Sequence, residues 1–262
     1  MRIEEVSPMN CSYSRVELFG TAVDAVTMDQ AVDAARAAVA AGGPHQHVVL
    51  NAAKVVAMQD DPELARIIRG CDFIQADGAS VVWFSKLARR PVPERVAGAD
   101  LFEHLVGAAA ADGTSVYFLG AQPHVVERVV EIFTQRWPDL RVAGFHDGFW
   151  SDDAEVVAAI RDAGPDYLFL AIPSPRKEYW LATHLDALGV PFVMGVGGSF
   201  DVVAGETTRA PRWMQKIGME WSWRLIQEPR RMFKRYLVGN TRFLVACLRE
   251  LRRPAPVGDS AR

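Results

Sequence analysis

The 262-residue chain predicts an α/β fold: a Rossmann-like, mostly parallel sheet flanked by helices, with a basic helical appendage at its C-terminal end. Three observations predict it. Short apolar runs alternate with helical patterns through the middle of the chain, the signature of βαβ units. Pro-Asp, Gly-Pro and Gly-Gly pairs fall between these runs, where turns belong. The charge is also divided: 209–253 holds twelve Lys or Arg against three Glu, interleaved with Trp213, Trp221, Trp223, Phe233, Tyr236 and Phe243. That +9 stretch leaves the other 217 residues at −12, in a chain whose total is −3. An acidic body with a basic, aromatic tail points to an anionic partner, a membrane surface or a polyphosphate.

Taken in order, residues 1–14 are expected to form a flexible N-terminus. Met1 to Ser14 mix Arg2, Glu4 and Glu5 with polar residues, so no secretory signal is expected. A strand and a helix are expected within Arg15 to Ala41. Strands then follow at His47–Asn51, Phe73–Ala76, Val116–Leu119, Arg141–Phe145, Tyr167–Ile172 and Phe192–Val196. Helices with apolar residues at three and four residue spacing are expected at Asp61–Arg69, Val125–Trp137, Ala154–Ala163 and Lys177–Leu188. This places a Rossmann-like catalytic domain at 15–205, a membrane-associating helical appendage at 206–253 and a flexible tail at 254–262. Cys11, Cys71 and Cys247 are widely spaced and form no C-x-x-C, which indicates a reducing cytoplasm. No run approaches the roughly eighteen apolar residues of a membrane span, so any membrane contact is expected from one side.

In an open parallel sheet, ligands sit beyond the carboxyl ends of the strands. Those ends deliver Asn51, Asp77-Gly78, Gly120-Ala121-Gln122, Pro173-Ser174-Pro175-Arg176 and Gly195-Val196-Gly197-Gly198-Ser199. Gly120 and Gly197-Gly198 precede helix starts, where backbone N–H groups suit a phosphate; the plain alternative is a tight turn. Asp77 follows an apolar strand and precedes a glycine that permits close backbone approach. It is a candidate to accept a proton from a substrate hydroxyl, and equally a candidate N-cap of the next helix. Asp100 reads as a cap, because Leu101 begins a helical pattern. Arg95 suits either a phosphate or Asp100.

The chain contains no Asp-x-Asp, and its six histidines form no H-x-x-x-H, so no metal site and no cofactor are expected. Asp153 and Glu155 read as charges at a helix start. The absence of G-x-S-x-G and of a P-loop disfavours serine hydrolases and P-loop NTPases.

Several segments together resemble the TagA/WecG/CpsF glycosyltransferases of bacterial envelope polysaccharide synthesis. They are Ala76-Asp77-Gly78, Glu94-Arg95-Val96-Ala97-Gly98-Ala99-Asp100, Gly195 to Asp201 with Ala204-Gly205, Arg209-Ala210-Pro211, and Glu220 to Arg231 running on to Arg235-Tyr236-Leu237. The resemblance covers about Val16 to Leu251. It implies metal-free, inverting transfer of a sugar from a UDP-sugar donor onto a polyprenyl-diphosphate-linked sugar, at the inner face of the cell membrane. By the same resemblance Asp77 is the general base, and Asn51 and Arg95 line its pocket. Gly120, Gln122, Arg176, Lys177, Gly195 and Gly197 are the further substrate-binding candidates. The departing diphosphate falls to Arg224 and Arg231, assisted by Lys234 or Arg235. The other tail cations, such as Arg242, Arg249 and Arg252, are expected to face lipid headgroups. An aspartate of ordinary pKa, about 4, is a weak base, so it acts late, on a hydroxyl already attacking an oxocarbenium-like carbon. Two positions depart from the family pattern. Val49 stands where a threonine is common, and Lys177 stands where a glutamine is common.

Two other readings compete for the same residues. A nicotinamide oxidoreductase would use the Gly195-x-Gly197 turn, but the fingerprint at the first strand and its acidic ribose partner are missing. A nucleic-acid arm would suit arginines among aromatics. It would not need the apolar stripe of Leu225, Ile226, Leu237, Leu244, Val245, Leu248 and Leu251, so no nucleic acid is expected. A homo-oligomer is compatible with the sequence, which does not fix the state.

Overall fold

The computed structural model describes residues 13–211, 214, 219, 222, 223, 226 and 229–252, without the side chains of 229–237. The chain opens on an antiparallel hairpin, β1 (Arg15–Leu18) and β2 (Thr21–Asp24), in which Leu18 faces Thr21. Its two-residue turn sets Phe19 at φ 55° and Gly20 at φ 69°. Those signs match the twist of the flanking strands. The sequence reading expected one strand here, and the turn divides it into two. Asp24 anchors the hairpin to the sheet: its carboxylate accepts from Arg15 Nε at 2.7 Å and from the Ile74 amide at 2.9 Å.

Helix α1 (Met28–Ala41) follows, capped by Thr27 and Gln30 in a reciprocal capping box. Then come β3 (His45–Leu50), α2 (Ala52–Asp60), α3 (Pro62–Arg69), β4 (Phe73–Ala76), α4 (Ala79–Leu87) and α5 (Gly98–Asp112). The second half supplies β5 (Ser115–Gly120), α6 (Pro123–Arg136), β6 (Arg141–His146), α7 (Asp153–Ala163), β7 (Tyr167–Ala171), α8 (Arg176–Leu188), β8 (Phe192–Gly195) and α9 (Ser199–Ala204). Helix α10 (Pro229–Arg252) ends the described chain. The strands form one sheet in the order β1-β2-β4-β3-β8-β7-β5-β6, parallel throughout except for β1 against β2. The expected α/β architecture, its six later strands and its C-terminal helix are therefore present.

Side-chain alternation sends the sheet residues into two layers. Phe73, Phe118, Tyr167, Phe169, Phe192 and Met194 pack with α1, α5, α6 and α9 on one face. Within that layer Phe102 meets Phe118, Phe133, Phe169 and Phe200 at centroid distances of 4.8 to 6.2 Å. On the other face Val48, Leu50, Ile74 and Ala76 pack with α2, α3 and α4, while Leu168, Leu170 and Val193 pack with α7 and α8.

Helix α10 joins this second layer by burying Phe243, Ala246 and Cys247. The Phe19 ring lies between Phe84, at 4.6 Å, and Phe243, at 5.6 Å. Arg90 reaches Glu250 at 3.1 Å, and Arg242 makes a two-pronged pair with Asp60, one bond at 2.7 Å. Arg242, expected to face lipid headgroups, is 41% exposed and paired with Asp60. Its guanidinium is held by a carboxylate whose fork geometry it matches.

Candidate active site

Neighbouring parallel strands β3 and β8 send their following helices to opposite faces: α2 packs through Val55, Val56 and Met58, and α9 packs through Phe200 on the far side. Such a divergence opens a crevice at the carboxyl ends of the strands. Asp77 stands at this edge, half-buried, directly after β4. Its amide donates to Leu50 O at 2.9 Å, which ties the end of β4 to β3. Gly78 then turns the chain at φ 115°, a conformation L side chains rarely adopt. Gly78 itself caps α4, and no side chain does. Asp77 is therefore not the N-cap.

Asn51 comes from β3 to the same place, its Cβ 3.8 Å from where a Cβ on Gly78 would lie. Its side-chain oxygen caps α2, accepting from the Lys54 amide at 3.0 Å. That leaves the amide nitrogen with no hydrogen bond among the described residues. The Val96 amide donates to Ala76 O at 3.0 Å, so the loop carrying Arg95 is fastened to the end of β4. Arg95 lies 3.9 Å from Asp100, which Arg209 also approaches at 2.5 Å. Asp100 sits in the first turn of α5 rather than at its cap, which is Ala97. Val49, at the end of β3, packs its Cγ1 3.3 Å from the position of a Cβ on Gly98.

Below this edge lies a buried ionic group formed by α2 and α8. Glu178 is 1% exposed, and its Oε1 accepts from Lys54 Nζ at 2.7 Å with Lys177 Nζ at 3.7 Å. Burial works against the Glu178 carboxylate, but the Lys54 and Lys177 ammonium groups outweigh it and hold its pKa below the ordinary value. Burial and the neighbouring Lys54 lower the Lys177 pKa to about 8, against the opposing pull of Glu178 and Asp77. Gly195 explains itself here. A Cβ at that position would lie 2.8 Å from Lys177 Cδ and 2.9 Å from Cε, so only glycine lets the lysine stem cross β8 in this pose. On the opposite face of β3, His47 is buried and bonded through Nε2 to Gln75 at 3.0 Å; burial lowers its pKa to about 4, so it is neutral.

The remaining candidates lie around the same sheet edge without converging on Asp77. Gly120, at φ 117°, is pressed against β7, where a Cβ would sit 2.5 Å from Ala171 O. Close strand approach accounts for that glycine. Gln122 is exposed at the start of α6. Arg176 is exposed, with its guanidinium 5.5 Å from the centre of the Trp150 ring. Gly197 makes a left-handed turn at φ 55° with open space around it, and α9 beyond it has only six residues. Arg224 lies outside the described residues, as do the side chains of Arg231, Lys234 and Arg235. Among the described residues no cluster of His, Cys, Asp and Glu could hold a metal ion, and no helix is long and apolar enough to cross a membrane. The residues that sequence reasoning missed are Lys54 and Glu178. The signals for them were a lysine interrupting the apolar face of α2 and a glycine at the end of β8.

Residues 16–256 match the family model described as the glycosyl transferase WecG/TagA/CpsF family. The chain belongs to this family. It is a glycosyltransferase, as the resemblance of its motifs implied. Over 199 residues, 76% of each chain, it is 34% identical to a Bacillus spizizenii protein named N-acetylglucosaminyldiphosphoundecaprenol N-acetyl-beta-D-mannosaminyltransferase. A Bacillus subtilis protein of the same name is 34% identical over 177 residues, 68% of this chain and 69% of that one. Within this WecG/TagA/CpsF chain, the family segments around Asp77, Arg95 and Gly195 are those that meet at the ends of β3, β4 and β8.

Proposed function

We propose that the protein is an inverting, metal-independent glycosyltransferase that moves a hexose or N-acetylhexosamine from a UDP-sugar to a polyprenyl-diphosphate-linked sugar. The observation that carries this reading is Asp77, a half-buried carboxylate at the open end of β4, set between Asn51 and the loop bearing Arg95. The relatives' printed names, which specify a diphosphoundecaprenol-linked N-acetylglucosamine and mannosaminyl transfer, support the acceptor class and the type of donor sugar.

In this mechanism an acceptor hydroxyl attacks the anomeric carbon from the face opposite the leaving diphosphate, and the bond from that carbon to the diphosphate oxygen breaks. Asp77 takes the hydroxyl proton as the new glycosidic bond forms, and UDP departs with the bonding electron pair. The carboxylate acts late, when the hydroxyl has become acidic through bond formation. Arg95 offers cationic stabilisation to developing negative charge, and the free Asn51 amide offers donors to a sugar hydroxyl. The basic residues Arg224, Arg231, Lys234 and Arg235 complete the diphosphate site in this proposal. Metal independence rests on the missing Asp-x-Asp, the usual metal-holding pair of nucleotide-sugar enzymes.

The tail is proposed to hold the enzyme at the anionic inner face of the cell membrane. Helix α10 supports that reading by presenting Leu244, Val245, Leu248 and Leu251 outward beside Arg249 and Arg252. Apolar residues bury into an interface while neighbouring cations meet anionic headgroups. The test is incubation with a panel of UDP-sugars and a polyprenyl-diphosphate-linked sugar, with and without EDTA. Lipid-linked disaccharide is expected in both arms with at least one donor; no product with any donor overturns the proposal, and loss of product in EDTA overturns its metal-free part.

A further inference from the structure

A cavity of about 220 Å³ lies where α10 docks on the body, between α2, the end of α3 and the β1–β2 turn. Phe19, Met58 and Ala246 give it an apolar floor, and the exposed residues Arg69 and Arg249 line its rim. Glu250 lines it as well, but that residue is buried and its carboxylate accepts from Arg90 at 3.1 Å. The rim arginines differ from their neighbours. Arg66 on α3 pairs with Glu63 and Arg242 on α10 pairs with Asp60, whereas Arg69 and Arg249 make no hydrogen bond or ion pair among the described residues. Two uncommitted guanidinium groups from different helices at one opening suit a phosphate, whose oxygens match their donors. The volume limits what enters: at ~30 Å³ per water it equals roughly seven waters, less than the roughly 300–1,000 Å³ that encloses a whole small molecule. It therefore admits part of a larger ligand. Met58 follows Asn51, the cap of α2, by seven residues, or roughly 10 Å along the helix axis, so the cavity lies outside the crevice. Val245, exposed and one turn before Arg249, continues the opening into the outward apolar residues of α10.

We propose that this cavity is a site for one anionic phospholipid, its phosphate held between Arg69 and Arg249 and an apolar segment of the same molecule lying on Phe19, Met58 and Ala246. The inference rests on the reading of α10 as a membrane contact and goes beyond it. A surface of exposed cations attracts any anionic bilayer, whereas a cavity with a fixed rim takes one molecule and saturates. Arg69 belongs to α3, outside the basic tail, so the site ties the catalytic body to lipid as well as the appendage. A phosphate held by both arginines fastens α10 to α3 when the protein is at the membrane.

The experiment titrates the full chain, ¹³C-labelled in its methionine methyl groups, with dihexanoyl phosphatidylglycerol below its micelle concentration. The Met58 methyl resonance, assigned from the conservative variant Met58→Leu, reads the cavity floor. It is expected to shift saturably, at one lipid per chain. The apparent Kd is expected to rise about tenfold in Arg69→Gln and in Arg249→Gln, each of which removes a charge-assisted contact. Arg66→Gln removes the same charge one turn away on α3 and should leave the Kd within about twofold, since an exposed distant charge is screened. Dihexanoyl phosphatidylcholine should bind at least about tenfold more weakly, because its headgroup carries no net charge, and inorganic phosphate should not move the Met58 methyl. The proposal is overturned by the lack of a saturable shift, by an equal response to the choline lipid, or by a loss in Arg66→Gln as large as in Arg69→Gln. A shift with phosphate that equals the shift with lipid makes this an anion site only and overturns it too. Sedimentation with anionic vesicles separates the two readings. Soluble-lipid binding by a protein that does not sediment upholds the cavity and tells against the membrane contact, whereas sedimentation without soluble-lipid binding upholds the contact and overturns the cavity.

Discussion

Glu178→Gln removes one charge and almost no volume, and the structure gives the consequence a magnitude. Glu178 and Lys54 side chains are 1% and 5% exposed and meet at 2.7 Å, so solvent screening takes little from the pair. The substitution leaves Lys54 and Lys177 buried without an adjacent carboxylate. Breaking a buried pair from one side costs about 3–5 kcal/mol, most of it the stranded charge. For a chain of this size that corresponds to a fall in Tm of roughly 6–15 °C. Because the folded-state pKa of Glu178 lies below its unfolded value, its contribution is present above the unfolded pKa and is lost as pH falls through the folded one. Urea unfolding followed by circular dichroism at pH 7 measures the loss, and the double variant Lys54→Met/Glu178→Gln should recover part of it by removing a stranded ammonium. A loss below about 1 kcal/mol, or a double variant no better than the single, would refute the argument that these charges are interdependent.

The other predictions concern packing, titration and the membrane. Gly120→Ala places a Cβ against the Ala171 backbone at a positive φ and should cost on the order of 3 kcal/mol, whereas Gly197→Ala, with open space around it, should cost about 1 kcal/mol; comparable urea midpoints for the two would contradict this. Lys177 has a folded-state pKa of about 8 against an ordinary 10.5, so the fold disfavours its charged form, and its burdening of stability is complete below pH 8 and fades as pH rises to 10.5. Lys177→Met should accordingly gain on the native protein at pH 7 and lose that advantage near pH 10.5, and a gap independent of pH would count against it. Replacing Leu248 and Leu251 with Gln should weaken sedimentation with anionic vesicles by roughly tenfold or more while leaving the Tm within a few degrees, since both side chains face outward. Unaltered vesicle binding would remove α10 from the proposed membrane contact.

The strands were legible because a parallel sheet covered on both faces writes itself as apolar runs, as in Tyr167–Ala171, where every residue is buried. The hairpin was less so: β1 and β2 have four residues each, and the turn between them uses Phe19, a residue type rarely found at positive φ. Helix α2 escaped notice because Lys54 occupies a buried position and interrupts the apolar pattern by which such a helix is recognised. The place of Asp77, Asn51 and Arg95 was readable from their positions after strands and within family segments. The ionic group beneath them was not, because a buried lysine looks in sequence like any surface lysine, and its partner Glu178 lies 124 residues from Lys54.

The most direct measurement is steady-state transfer by Asp77→Asn, with the donor and lipid-linked acceptor that the native protein uses. The amide preserves shape and cannot accept the acceptor proton. If Asp77 is the base, kcat falls by about 10²- to 10⁴-fold while KM and Tm stay near the native values. Turnover within a few-fold of native in a correctly folded variant would contradict the account.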